Sequence, residues 1–163
     1  MSWPTLPSFS ATNIPSAAQL NLFNDAFNHL HTPVLSKYEE PGAVDFTTTS
    51  PAGTWVAISG GNYSKTITMS GGHCLVLFSC VAIRASFDLF VDSVQRGDAT
   101  VGSVHFGGAS RVIVNYACLL DNTVLPAGSH TLEMKWCRRG GVGTATISVI
   151  NTPRFYVMQL KGG

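Results

Sequence analysis

The chain has 163 residues, of which 12% are charged, with ten Lys and Arg against nine Asp and Glu and a net charge of +1. That length suits one domain with a short extra segment and buries an ordinary core without staples. The charges are scattered, with no basic run beyond Arg138-Arg139, so nothing argues for nucleic-acid binding; a surface this poor in charge is expected either to be partly hidden in contacts with copies of the same chain or to be solvated by Ser, Thr, Asn and Gly instead.

Residues 1–13 are rich in Pro and Ser and read as an extended arm whose apolar side chains Trp3, Leu6 and Phe9 suit docking. The start Met1-Ser2-Trp3-Pro4 has neither a basic nor an apolar signal region, so no secretory signal is expected. No apolar run approaches the ~20 residues of a membrane-spanning helix, so no membrane insertion is expected. A helix starts next. Ser16 can cap it, with Gln19 at capping-box spacing. Leu20, Phe23, Phe27 and Leu30 then recur at 3-4-3 spacing as a narrow apolar stripe. Pro33 ends the helix near His31, because the residue before a proline avoids the helical region. The stripe fits two roles: covering the chain's own sandwich, or packing on copies of itself at a symmetry axis.

Residues 34–53, punctuated by Pro41 and Pro51, read as a linker with a first short strand at 44–48. Beyond them the chain is strand and turn throughout. Strands are expected at 55–59, 63–69, 74–83, 87–94, 100–106 and 110–120. Ile67 and Met69 share one face of theirs. The run Cys74-Leu75-Val76-Leu77-Phe78 is continuously apolar, which marks a strand buried on both faces. The closing stretch, 125–160, is the best patterned. After a turn at Pro126-Ala127-Gly128, Leu132, Met134 and Trp136 alternate with Thr131, Glu133 and Lys135, one face apolar and one polar. The basic, glycine-rich turn Arg138 to Gly143 reverses the chain. A return strand follows, and the last strand is expected to pair inside a sheet. The class is all-β: an antiparallel β-sandwich (jelly roll) of about eight to ten strands, preceded by the arm and one short α-helix. The segments are 1–33 for attachment or oligomer contacts, 34–53 as linker, and 54–163 as sandwich.

Chemistry is sparse. The chain lacks G-x-S-x-G, a P-loop and a G-x-G-x-x-G before a helix. Cys74, Cys80, Cys118 and Cys137 form no C-x-x-C pair. They are expected as reduced, buried small hydrophobes, with a Cys118–Cys137 bridge left open. His29 and His31 stand two apart and cannot chelate from one helix face, so neither metal nor cofactor is expected. Asp88 and Asp92 share strand parity. They are the one carboxylate pair available for acid–base work, against a plainer reading as a polar strand face with Leu89 and Val91 inward. His73, His105 and His130 fall at or near strand ends, where histidines are satisfied or solvated. Arg138 and Arg139 are the best basic site, suited to a carboxylate, a phosphate or an acidic partner patch, or else an exposed hairpin tip. Arg154 suits a carboxylate at a sheet edge or subunit seam. Gly60 to Tyr63 is a second candidate tip.

Two stretches resemble known proteins. Ile14 to Leu30, through Ala18-Gln19-Leu20-Asn21, resembles the N-terminal segment of tailed-bacteriophage virion proteins. Leu125 to Trp136, Gly143 to Ser148 and Pro153 to Leu160 together are similar to the end of phage tail-fibre, baseplate and head-decoration modules with a C1q/TNF-like jelly roll. The resemblance implies a non-enzymatic virion structural protein, assembled in the host cytoplasm. It implies a homotrimer, with other capsid or tail proteins as partners. In that setting Trp3, Leu6, Phe9, Leu20, Phe23, Phe27 and Leu30 dock on the particle or on one another. Two placements stay open. One is a capsid decoration protein; the other is a tail-tip or fibre module touching a host surface glycan or protein through its loops. A sugar-processing enzyme is the competing class, and it rests on Asp88 and Asp92 alone.

Overall fold

The computed structural model describes residues 34–39, 45–140, 143–149 and 152–160. The expected arm and helix, with their seven apolar anchors, lie outside these residues. Twelve strands are present among the described residues. The first six are β1 (Val34–Glu39), β2 (Phe46–Thr48), β3 (Val56–Ala57), β4 (Ser64–Met69), β5 (His73–Ile83) and β6 (Ala85–Val91). The last six are β7 (Val94–Gln95), β8 (Val104–His105), β9 (Val112–Leu120), β10 (Gly128–Arg138), β11 (Ala145–Ser148) and β12 (Arg154–Leu160). All pairings are antiparallel, and the strands form two sheets of a jelly-roll sandwich.

Each sheet has one long spine strand. In the first sheet β9 lines one side of β5, while β12 and β11 lie end to end along the other. β1 and β2 continue outward from β12 and β11. In the second sheet β6 lines one side of β10, with β4 and β3 end to end along the other. β7 and β8 extend it beyond β6. The last strand is thus an interior one, held between β1 and β5, as the closing pattern requires.

The alternation read from the sequence sets what faces the core. Leu132, Met134 and Trp136 are at most 2% exposed, while Thr131, Glu133 and Lys135 on the other parity are half-buried. Ile67 and Met69 also point inward. An aromatic chain bridges the two layers. Tyr38 meets Tyr63 edge-on at 4.9 Å, Tyr63 meets Phe78 at 5.9 Å, Phe78 meets Phe87 at 5.2 Å, and Phe87 stacks on Trp136 at 6.3 Å. Such pairs add about 0.5–1.5 kcal/mol each beyond their burial.

Several expectations are corrected. Val34–Glu39, read as linker, is an edge strand: Tyr38 turns inward onto Tyr63, and the backbone pairs along β12. The turn after Arg138 makes no hairpin, because β10 and β11 belong to different sheets and the chain crosses between layers there. The strand expected at 100–106 shrinks to Val104–His105. Gly60 to Tyr63 is no tip. It belongs to a turn between β3 and β4 on the flank of β10; Tyr63 is fully buried and its carbonyl accepts the Met134 N–H at 2.9 Å. The four cysteines are free; Cys74, Cys80 and Cys137 are buried and Cys118 is half-buried. Burial pushes the Cys74 thiol up to about 11.

Candidate functional site

The outer faces of the two sheets differ, and the difference begins with sequence. On the second sheet the outward residues of β4 and β10 are polar: Thr66, Thr68, Thr131, Glu133 and Lys135. The outward side of β6 is roofed by the segment between β7 and β9. Trp55 packs near Phe90 at 6.1 Å and donates its indole N–H to the Ala99 carbonyl at 3.0 Å. Lys135 places its ammonium 4.7 Å above the Phe90 ring.

Asp88 holds that roof. It is fully buried, contrary to the expectation of an open polar strand face. Oδ1 accepts the Leu89 N–H at 2.9 Å and the Ser103 hydroxyl at 2.6 Å. Oδ2 accepts the Gln95 amide at 2.7 Å and the Gly97 N–H at 2.9 Å. Gly97 must be glycine, because a Cβ there would stand 2.8 Å from Asp88 Oδ1 and 2.5 Å from Ser103 Oγ. Asp92 lies just past β6, in a turn with φ of +50°. Its carboxylate takes His130 Nδ1 at 2.7 Å and the Thr131 N–H at 2.8 Å. Both carboxylates of the pair therefore have structural partners, and that of Asp88 is fully buried. His130 is 8% exposed, and its Nε2 faces the Pro126 carbonyl at 2.8 Å. Two acceptors on two ring nitrogens call for the doubly protonated imidazolium. The bond to Asp92 accordingly raises the His130 pKa and lowers that of Asp92.

The first sheet is open. Its outward residues fall in cross-strand rows: Leu35, Met158, Leu75 and Leu119; then Lys37, Tyr156, Leu77 and Ala117; then Glu39, Arg154, Ser79 and Asn115. Val81 and Ile113 follow. Three of the four large hydrophobics with high exposure are here: Leu35 at 48%, Leu119 at 60% and Ile113 at 72%. The few charges partly cancel. The Tyr156 hydroxyl donates to Glu39, and Arg154 Nε lies 3.9 Å from the same carboxylate. Arg154 thus finds its carboxylate at the sheet edge. A shallow depression of about 290 Å³ crosses the face, with Leu77, Asn115, Arg154 and Tyr156 on its walls. The strand expected to be buried on both faces is β5, but within one chain only its inner parity is fully covered.

The second candidate is the end where the chain changes sheet. Arg84 alone links β5 to β6, with φ of +50°. Arg138 closes β10 and Arg139 opens the crossover to β11. The Arg139 N–H donates to the Arg84 carbonyl at 2.6 Å, and the Arg138 N–H to the Ser50 carbonyl at 2.8 Å. Val34 stands at the opposite end, level with Gln159 and Cys74, roughly 33 Å away along β5 at the usual strand rise. Arg84 escaped sequence reading because it lies 54 residues from Arg138 in the chain and follows an apolar run.

No protein-family model and no curated protein matches the chain. Among solved structures it is similar to infectious bursal disease virus VP2 in a subviral particle, with 14% identity and TM-score 0.46 over 78% of this chain and 33% of that one. A chain of the T=1 particles derived from infectious bursal virus gives 11% identity and TM-score 0.45, over 78% of this chain and 32% of that one. A CBM36-1 domain of a multidomain xylanase from the hindgut metagenome of Trinervitermes trinervoides gives 11% identity and TM-score 0.41, over 80% of this chain and 100% of the domain. The chain spans about a third of the length of the viral particle chains it matches.

Proposed function

We propose that the chain is a non-enzymatic structural protein of a tailed-bacteriophage virion, a homotrimer that decorates the capsid and holds it through residues 1–33. The observation that carries this reading is the open outer face of the first sheet. The sequence of β5 is that of a strand covered on both sides, and one sandwich covers only one. A second copy supplies the missing cover. The face measures roughly 19 Å by 33 Å, about 600 Å² at ordinary strand spacing and rise. That approaches the ~800 Å² per partner of a standard interface. Fully burying an aliphatic side chain such as Leu119 contributes about 1.5–3 kcal/mol. A closed cyclic assembly gives every subunit the same contact.

The virion setting rests on the sequence resemblance at the two ends of the chain. The structural bonds of Asp88 and Asp92 support the non-enzymatic reading, since an acid–base pair needs a free carboxyl beside substrate. Trp3, Leu6 and Phe9, with the stripe Leu20, Phe23, Phe27 and Leu30, precede Val34, which stands at the end of the sandwich opposite the arginine corner. The arginine corner also favours a second reading, a tail-tip or fibre module recognising a host surface ligand. Electron microscopy of the particle separates the two, by density at capsid symmetry axes or at the tail. Sedimentation velocity tests the assembly: a species of three times the 17.3 kDa chain mass is expected. A chain that stays monomeric at high concentration overturns the trimer.

A further inference from the structure

We infer that Arg84, Arg138 and Arg139 form a binding site for an oxyanion, the phosphate or carboxylate group of an acidic ligand that approaches the crossover end of the sandwich. The inference needs neither the trimer nor the particle. Its first support is convergence. Two crossovers run side by side at this corner, tied by the Arg139 to Arg84 backbone bond. Gly143 sits between two guanidiniums: its carbonyl accepts from Arg138 Nη1 at 2.9 Å, and a Cβ built on it would stand 2.7 Å from Arg84 Nη1. A side chain there would occupy the space between the two cations; glycine leaves it open.

The second support is charge without compensation. Among the described residues the ion pairs are His130–Asp92, Lys135–Glu133 and Arg154–Glu39, so no carboxylate of the described residues lies within 4 Å of these three arginines. Asp98 acts on Arg139 through space only, and its Oδ1 already accepts the Thr100 and Val101 N–H groups. Exposed Arg111 precedes Val112, which stands opposite Ala82 two residues before Arg84, and adds a fourth cation to this end. Gathered like charges repel, and a bound anion turns that repulsion into attraction. The third support is space. A recess of about 350 Å³ is lined by Arg138, Arg139, Ala52 and Gly140, two cations with two residues too small to fill it. The three arginines are half-buried, which strengthens charge-assisted bonds from their planar forks to phosphate or carboxylate.

The test is a titration of the full chain with sodium phosphate, and separately with sodium acetate, at constant ionic strength. The arginine Nε–H resonances are followed by NMR. Saturable shifts at Arg84, Arg138 and Arg139 are expected with phosphate. A matching acetate response extends the site to carboxylates, and its absence restricts the site to phosphate. Arg84→Gln and Arg138→Gln should each weaken binding about tenfold, and Lys37→Gln, on β1, should leave it unchanged. Arg138 also holds the Gly143 carbonyl, so Arg84→Gln is the decisive variant, with its fold checked by circular dichroism. Shifts that never saturate, or an affinity that Arg84→Gln does not change, would overturn the site. A monomeric or particle-free chain that still binds phosphate leaves the site standing while removing the trimer or the attachment.

Discussion

Asp88 shows how much one side chain can hold. Its four hydrogen bonds fasten Gln95, Gly97 and Ser103 over the outer side of β6. Asp88→Ala removes the acceptor those part-buried donors share, and a loss of about 3 kcal/mol is expected, read from the urea midpoint. His130 gives a pH dependence whose sign follows from its partners. Its pKa is raised above the ordinary 6.5, so its contribution is complete below pH 6.5 and disappears as pH climbs through the raised value. The Asp92 pKa is lowered below the ordinary 3.8, so its contribution is complete above that value and is lost as pH falls through the lowered one. The pair therefore stabilises fully between about pH 4 and 6.5. Urea midpoints from pH 5.5 to 9 should decline in the native chain and decline less in His130→Gln. Equal slopes would show that the imidazolium is not what ties Asp92 to Pro126.

At the scale of elements, β5, β9 and β12 present one face to the core and a second, apolar face outward. In β9 Ile113 and Leu119 are the most exposed of its large apolar side chains. The double variant Ile113→Lys/Leu119→Lys should dissociate the assembly in sedimentation while changing the stability of the sandwich by no more than about 0.5 kcal/mol per site, the usual range for surface substitutions. A variant that stays assembled would move the self-contact to another face. β6 makes the contrast. It is buried on both sides, because its second cover comes from within the chain, through the roof that Asp88 fastens.

The whole molecule is polar in the sense of having two unlike ends. Val34 lies at one and the arginine corner at the other, because β5 runs the length of the sandwich between them. A chain lacking residues 1–13 is expected to keep the circular dichroism of the full chain and to lose the particle in co-sedimentation. Particle binding that survives the deletion would place the attachment elsewhere.

The sequence alone determined the class of fold and the inward set. Leu132, Met134 and Trp136 face the core, as do Ile67 and Met69, because alternation is a local property of an extended backbone. It did not separate a hairpin from a crossover after Arg138, since both need only a glycine-rich turn. Nor did it separate a strand covered twice by its own chain, as β6 is, from one left open on a side, as β5 is. Only the tertiary structure decided that Asp88 is buried, that Val34–Glu39 joins the sheet, and that Arg84 meets Arg138 and Arg139. Each of these depends on contacts between residues far apart in the chain, and no local period records which distant segment will cover an outward face or share a corner.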